Sequence, residues 1–504
     1  MTLGVREDAL LRPLLESTSR LSATRNWLPQ HASNTLWAYA KVGCTDPELL
    51  EPVLRSAAAL SASRDFNSQA TANCLWALAM LNVSDPSVLG PLATAAVRVC
   101  RLRDFSSRHA CNCLWGFAKL GIREPSLVTP LALAAAELCA LQHFNSQDAA
   151  NGFWAAAVLD IGDPVILGPL AAAVGKFAAL PPGSPDGLSA QEATNCLWAA
   201  ATLRLSDRDV TDALAGAVLA LCTEEAAGEG GSPRHAANCL WAAARLGMVG
   251  SEAAARYTAP LGRLCAARAA SPHFNSQDAS NSLWAAAVLG LLEDEAVAGP
   301  LAAAVERLAG DMSPDQAQSM LQVHALGFAF PGGEAVVDRF WAAFHAAPPL
   351  PNSVSALQKS VLEALAALGL GAVLEVPLHE GLMMVDIVAT LPSGARVALE
   401  VDGPTHFLRP SLQRGGGIPP QNGATLLRNK IIRGATPRFS ALVQVPFYLW
   451  EPVHFDAEKK AALLVKLFAE QGVDIGAAGS CSAGGGGGGS SGAAAAVALQ
   501  PPGE

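Results

Sequence analysis

The chain has 504 residues, of which 51% are hydrophobic and 15% charged, and its formal net charge is −10. This composition indicates a globular protein long enough for more than one core, and it excludes a uniformly polybasic nucleic-acid binder. Polar residues or prolines interrupt every apolar run before the roughly 20 residues that a bilayer requires, so we predict no transmembrane helix and no membrane insertion.

Charge is distributed unevenly along the chain. Residues 1–124 carry a net charge of +3, residues 125–345 a net charge of −12, and residues 396–450 a net charge of +5. Two basic regions therefore flank an acidic middle, which is compatible with a phosphate-bearing partner held at the ends. The eleven cysteines form no CxxC pair and most recur at fixed places in the repeats, which favours small core residues over metal ligands or disulfides.

Residues 1–26 are a lead-in to the first repeat. They lack the apolar segment of a secretory signal, and the acidic residues Glu7, Asp8 and Glu16 make an organelle transit peptide unconvincing.

Seven units of 39–44 residues follow over residues 27–329, and each contains the pattern Asn-x-x-Trp-x-x-Ala. The repeated pairs are Asn34 and Trp37, Asn73 and Trp76, Asn112 and Trp115, Asn151 and Trp154, Asn195 and Trp198, Asn238 and Trp241, and Asn281 and Trp284. A degenerate eighth copy has Gln322 in place of the tryptophan. Periods near 40 residues with two predicted helices per unit are typical of an all-α solenoid.

The unchanging asparagines and tryptophans are interpreted as structural, because a residue that reads different bases should change between repeats. We expect the asparagine side chains to bond backbone groups and hold the repeats in register. Each first helix should end near a glycine such as Gly43 or Gly121. An Asp-Pro or Glu-Pro start such as Asp46-Pro47 follows, and a second proline five residues later, such as Pro52, should open the second helix.

Two columns near the start of the first helix do vary, and they are the candidate RNA-binding residues. Seven residues before the tryptophan stand Gln30, Gln69, Arg108, Gln147, Gln191, Arg234 and Gln277. Six residues before it stand His31, His109, Asp148, Glu192, His235 and Asp278, with alanine in the second repeat. Such side chains can address base edges or phosphates, although polar residues at helix N-termini also serve as caps. Arg98, Arg101, Arg103 and Arg108 form the densest basic cluster, where phosphate contact is predicted.

A linker is predicted over residues 330–351, and a small α/β domain over 352–455. The order there is αβββαβα, with strands at 372–379, 383–390, 396–403 and 441–450 and helices at 353–369 and 424–434. A helix within residues 456–475 and a Gly/Ala/Ser-rich tail at 476–504, predicted to be disordered, complete the chain.

Three segments of this domain, LEVDGPTHF (399–407), TLLRNKIIRG (425–434) and VQVPFYLWEPV (443–453), resemble the RAP domain. The repeats resemble the octotricopeptide and related repeats that accompany it, including in the FAST-kinase-like group. The resemblance implies an organellar RNA-binding protein, in the chloroplast or the mitochondrion, that acts in RNA processing, stability or translation. Its partners would be single-stranded RNA (an organellar mRNA or rRNA) and other RNA-processing proteins. His406, Arg428 and Lys430 of the basic C-terminal domain are the candidates for contacting the RNA, and they could also substitute electrostatically for the lysine of a nuclease.

The RAP domain is in turn similar in layout to PD-(D/E)xK restriction-endonuclease-like enzymes. Asp386 and Glu400 stand where the metal ligands of such an enzyme would be, but Asp402 occupies the position of the lysine. This departure favours a binding fold over an active endoribonuclease. No cofactor is therefore expected, and Mg²⁺ or Mn²⁺ would be needed only for the nuclease alternative. A protein-interaction scaffold is a further alternative, because α-solenoids commonly bind proteins.

Overall fold

The structure is a computed structural model that describes residues 8–102, 104–141, 144–227, 232–250, 252–348, 354–409, 418–435 and 438–475. The predictions for Arg103, for the tail at 476–504 and for the start of the lead-in lie outside these residues. The chain divides into two compact units. Unit 1 contains Met1–Ser353, Pro377–Met384 and Asp402–Thr436, and unit 2 contains Val354–Val376, Val385–Val401 and Pro437–Glu504.

Unit 1 is a stack of helix pairs, which confirms the predicted α-solenoid. After α1 (Asp8–Leu21), the first helices of the pairs are α2 (Pro29–Val42), α4 (Ser68–Met80), α6 (Ser107–Leu120), α8 (Ser146–Val158), α10 (Ala190–Thr202), α12 (Pro233–Arg245), α14 (Ser276–Leu289) and α16 (Pro314–Ala325). The second helices are α3 (Pro47–Leu60), α5 (Pro86–Val99), α7 (Pro125–Ala140), α9 (Pro164–Ala178), α11 (Arg208–Ala227), α13 (Glu252–Arg268), α15 (Glu295–Leu308) and α17 (Glu334–Phe344).

The helix pairs form two layers. Each first helix packs against the first helices of the neighbouring pairs, and the second helices from α3 to α15 form the other layer in the same way. Leu36, Leu75 and Leu114 are 0–1% exposed in the first layer, and the cysteines of that layer, such as Cys74 and Cys113, are buried among them. Burial raises the pKa of both thiols, which agrees with a core role rather than a reactive one.

Local sequence sets the helix ends. Gly43 and Gly121 end α2 and α6 in the left-handed region, with φ of 70° and 71°, as predicted. Asp46 caps α3 by accepting a hydrogen bond from the backbone N–H of Glu48. The second proline does not open the second helix: α3 begins at Pro47 and continues through Pro52. Burial of one face of α3 stabilises the helix by more than the loss of the single backbone hydrogen bond that the proline ring removes.

The segment predicted as a linker contains α17, which packs against α16 as the second helix of the degenerate eighth pair. Val336 and Phe340, four residues apart on one face of α17, are buried there. None of the described helices is long and apolar enough to cross a membrane.

Residues 402–436, predicted as part of the RAP-like domain, belong to unit 1. Within them, α19 (Gly423–Gly434) packs against α12 and α14 of the first layer. Asn422 caps α19 by accepting a hydrogen bond from the N–H of Thr425. Helix α19 of this segment therefore packs on the first layer of the solenoid.

Unit 2 holds most of a four-stranded sheet, in which the strand order is β1-β2-β3-β4. The elements are α18 (Ala356–Ala367), β1 (Gly371–Leu378), β2 (Met383–Thr390), β3 (Arg396–Asp402), β4 (Ala441–Pro446), α20 (Phe447–Trp450) and α21 (Ala457–Glu470). β2 and β3 are antiparallel, with Ile387 opposite Leu399. Both residues lie in one core with Val361 of α18 and Phe468 of α21. The predicted small α/β domain is thereby confirmed.

The last strand is shorter than predicted. It ends at Pro446, and residues 447–450 form the short helix α20 instead of continuing the strand. Proline cannot donate to a strand ladder and is pre-set for a helix entrance. Trp450 of this helix is fully buried, and its Nε1 donates to Ser360 Oγ at 3.2 Å.

Candidate nucleic-acid interface

One face of the first helices repeats along unit 1. The positions seven and three residues before the tryptophan, the tryptophan itself, and the position four residues after it share one side of an α-helix. We call these positions in α2, α4, α6, α8, α10, α12 and α14 the Trp face. In α2 they are Gln30, Asn34, Trp37 and Lys41, all of them exposed, while Ala32 and Leu36 between them are buried.

The tryptophans of the first four repeats form two pairs. The ring centroids of Trp37 and Trp76 are 6.3 Å apart with 35° between the planes, and those of Trp115 and Trp154 are 6.5 Å apart with 40°. A lysine lies over each pair: Lys41 Nζ is 5.4 Å and 4.9 Å from the first two centroids.

Lys119 Nζ occupies the equivalent place over the second pair, 5.7 Å from the Trp115 centroid and 5.3 Å from that of Trp154. A cation over an indole face is stabilised by about 0.5–1 kcal/mol at exposed sites. Sequence reasoning missed both lysines, although their position four residues after a tryptophan on a helix was a usable signal. The Trp face thus carries two aromatic and cationic clusters, two repeats apart.

The repeated asparagines do not make the expected bonds to backbone groups. Among the described residues, the side chains of the first six make no hydrogen bond, and Asn281 accepts one from Gln277 Nε2 at 3.0 Å. The six are Asn34, Asn73, Asn112, Asn151, Asn195 and Asn238. Asn34 is exposed and the others are half-buried. Their structural role stays a prediction, and their amides stand beside the tryptophans with unused hydrogen-bonding capacity.

The side chains of the two variable columns differ in their exposure and in their hydrogen bonds. All seven residues seven positions before the tryptophan are exposed. Most of the next column caps its own helix: His31 and His109 accept hydrogen bonds from the N–H of Leu28 and Ser106, each at 3.2 Å. Glu192 does the same for its own N-cap residue at 2.9 Å.

Asp278 accepts from the N–H of Asn275 at 3.2 Å, and Asp148 accepts from Ser107 Oγ of the preceding repeat at 2.9 Å. Burial raises the pKa of both carboxyls and lowers the pKa of His109. The capping alternative therefore accounts for most of this column, and base reading by either column stays a prediction.

The start of the first helices also holds an open groove of about 630 Å³. Gln69, Arg108, His109 and Asp148 line it, so side chains from three successive repeats come together there. Four predicted RNA-binding residues are therefore neighbours in space.

Arg98, predicted to contact phosphate, instead holds two repeats together. Its guanidinium donates to the carbonyl oxygens of Ser61, Ala62 and Phe66 of the preceding repeat, at 2.9, 3.2 and 3.2 Å. Arg307 makes the equivalent bond to Ala269 at 2.8 Å further along the solenoid. Arg101 of the same predicted cluster is exposed.

The predicted cationic residues of the C-terminal region also have protein partners. Arg428 Nη2 donates to the carbonyl of Met384 at 2.8 Å. Lys430 Nζ donates to the carbonyls of Val288 and Ala287 at the end of α14, at 3.1 and 3.4 Å, and burial lowers its pKa. His406 Nδ1 lies 3.0 Å from a carboxylate oxygen of Asp402. The bonds of Lys430 join α19 to the end of α14, and phosphate binding by the three residues stays a prediction.

The acidic residues of the nuclease alternative are buried. Asp386 accepts a hydrogen bond from the N–H of Val401 at 2.8 Å, and Glu400 accepts one from the N–H of Asp386 at 3.4 Å. Asp402 accepts from Gln421 Nε2 at 3.1 Å. In the described part of the chain, no group of three or more His, Cys, Asp or Glu side chains could hold a metal ion.

Comparison with known proteins bears on the N-terminal third of the chain. No curated protein matches the chain significantly. A family model described as RNA-editing substrate-binding complex 6 protein matches residues 1–164. The match covers the first three helix pairs and α8 of the fourth, so the part of the chain that contains both tryptophan pairs and their lysines is similar to that family.

Proposed function

We propose that the chain binds single-stranded RNA along the Trp face of unit 1. The observation that carries this proposal is the pair of aromatic and cationic clusters, Trp37–Trp76 with Lys41 and Trp115–Trp154 with Lys119. Bases of an unpaired strand stack on aromatic side chains, which contributes roughly 1–3 kcal/mol per base. A neighbouring ammonium group attracts the phosphates that such a strand carries.

The surroundings of the clusters support the same ligand. Exposed glutamine or arginine side chains lie on the same face one to two turns before each tryptophan, and asparagine amides lie between. These groups donate and accept hydrogen bonds, as recognition of unpaired base edges requires. The first 124 residues, which contain three of the four paired tryptophans, carry the basic surplus of +3.

The family match adds an independent argument, because the matched family is named for an RNA-editing substrate-binding complex. We extend the proposal to a role in organellar RNA processing, stability or translation, in the chloroplast or the mitochondrion and together with other RNA-processing proteins. This extension is supported by the resemblance of residues 352–455 to the RAP domain.

The test is fluorescence anisotropy with a labelled 20-nucleotide single-stranded RNA and the full chain. The double variant Lys41→Gln/Lys119→Gln should bind roughly tenfold more weakly, because two exposed ammonium–phosphate contacts of about 0.7 kcal/mol each are lost. The matched control Lys176→Gln/Arg256→Gln removes two exposed charges from the second helices α9 and α13 and should leave affinity unchanged. Equal losses in both double variants would exclude the Trp face as the binding surface.

A duplex of the same sequence provides a second arm of the experiment. Paired bases cannot stack on the tryptophans, so the duplex should bind more weakly than the single strand. Equal affinity for both would contradict the stacking argument.

A further inference from the structure

Three arginines meet where residues 402–409 cross the first layer of unit 1. Arg204 follows the end of α10, Arg245 lies in the last turn of α12, and Arg409 comes from the segment after β3. The backbone N–H of Arg409 donates to the carbonyl of Arg204, and Arg204 Nη1 donates to the carbonyl of Pro404 at 3.2 Å. We call Arg204, Arg245 and Arg409 the arginine cluster.

The cluster carries more positive charge than its surroundings balance. Arg409 Nη2 pairs with Asp160 Oδ1 at 2.7 Å, and this carboxylate is 76% exposed. Burial, with the neighbouring charge of Arg409, lowers the pKa of Arg204, and burial with the charge of Arg204 lowers the pKa of Arg245. The partial negative charge of two helix C-termini helps to hold cations here, but the like charges still repel one another.

Arg245 is the member with unused binding capacity. Among the described residues it makes no hydrogen bond and no ion pair, and its Nε is buried. Its guanidinium lies over the ring of Trp241, with 5.6 Å between the guanidinium carbon and the ring centroid. The planar guanidinium is thus held in place by the tryptophan, while its donors lack acceptors. A guanidinium held this way is suited to bind a phosphate oxygen.

Gly162 provides the room for the third arginine. A Cβ at this position would overlap the guanidinium of Arg409, so a side chain here would displace Arg409 without disturbing a packed backbone. The turn between α8 and α9 and the segment after β3 thus fit one another at this point.

We propose that the arginine cluster binds a phosphate group of the RNA strand held by the Trp face. Trp241 belongs to the Trp face and touches the cluster through Arg245, so a strand that follows that face reaches the cluster at the sixth repeat. The proposal rests on the proposed function, and it adds a site to which the segment after β3 contributes Arg409. Two of its three arginines, Arg204 and Arg245, come from the acidic middle of the chain, where net charge alone indicates no anion binding.

The first experiment measures RNA affinity against salt concentration for the full chain. Removing one phosphate contact from a single strand lowers the slope of log affinity against log salt by about 0.7. Arg245→Gln and Gly162→Ala should each show this reduction and bind severalfold more weakly at about 0.1 M salt. Arg256→Gln, which removes an exposed arginine of α13, is the matched control and should keep the slope. Wild-type slopes in both cluster variants, with unfolding midpoints unchanged, would overturn the proposal.

The second experiment needs no RNA. Inorganic phosphate should raise the unfolding midpoint of the wild-type chain above that in chloride at equal ionic strength, because a ligand that binds the folded state stabilises it. The increase should vanish in Arg245→Gln and persist in Arg256→Gln. Phosphate stabilisation without any RNA binding would show that the anion site exists and that the RNA proposal has failed. RNA binding with no phosphate stabilisation and an unchanged salt slope would remove the site alone.

Discussion

Gly423 lets the start of α19 lie close to the backbone of α12, and replacing it with alanine should weaken the packing of α19 on the solenoid. A Cβ at Gly423 would overlap the carbonyl oxygen of Ala244 and lie 2.7 Å from its carbonyl carbon. Carbon atoms in contact are ordinarily about 3.5–4.0 Å apart. The helix must therefore move by about 1 Å, which would also strain the bonds from Lys430 Nζ to the end of α14.

The expected cost of Gly423→Ala follows from two opposing effects. Forcing an extra methyl group into a packed contact costs about 1–3 kcal/mol. Replacing glycine with alanine lowers the entropy of the unfolded chain, which offsets about 0.4–1 kcal/mol of this. We expect a net loss of about 1–2 kcal/mol, confined to the contact of α19 with α12 and α14.

Hydrogen exchange of the α19 amides is the suitable assay, because it measures the local opening of that helix directly. Gly434 lies at the other end of the same helix, and a Cβ added there would meet no atom within 4 Å. Gly434→Ala should therefore leave protection unchanged or raise it. Equal protection of α19 in Gly423→Ala and the wild-type chain would refute the packing argument.

Two further predictions concern the contacts between repeats. Arg98→Ala should destabilise unit 1 by about 1 kcal/mol, which is low for hydrogen bonds to a charged group because this arginine is exposed. RNA affinity at fixed salt should stay unchanged. An unchanged melting curve with weakened RNA binding would instead support Arg98 as a phosphate contact. Burial raises the pKa of Asp148 above its ordinary 3.8, so its ionised form is disfavoured in the folded state. The stability contribution of Asp148 should be largest below pH 3.8 and be lost as pH rises through the raised pKa. Asp148→Asn should lack this part of the pH dependence in denaturant unfolding at about pH 4 and pH 7, and identical pH dependence in both proteins would contradict it.

The repeat architecture could be predicted from the sequence because every unit contains the same local sequence signals. The tryptophan spacing and the glycine ends are local features, and each is decided within one repeat. The second proline was misread because its position alone does not distinguish the start of a helix from its second turn. The buried face of Leu50, Val53 and Leu54 decided that question.

The candidate site was only partly predictable. The placement of the Trp-face positions on one side of the first helices follows from helical spacing, and Lys41 and Lys119 could have been found from it. The caps formed by His31 and His109, and the three carbonyls bound by Arg98, depend on where neighbouring backbone groups lie, which a polar column does not reveal. Arg204, Arg245 and Arg409 are separated by 41 and 164 positions in the sequence, so only the folded chain brings them together.

The attachment of residues 402–436 to unit 1 has a consequence for the order of folding. Neighbouring repeats contact one another over some 40 residues, so each pair of helices can fold soon after it is synthesised. The bond between Arg409 and Asp160 spans 249 residues, and that between Lys430 and Val288 spans 142. The C-terminal ends of α8, α10, α12 and α14 therefore stay without these contacts until Arg409 and α19 have been synthesised. Because such distant contacts form late and at a cost in loop-closure entropy, we expect this step to be the slow step of folding and the interval in which the chain is most exposed to aggregation.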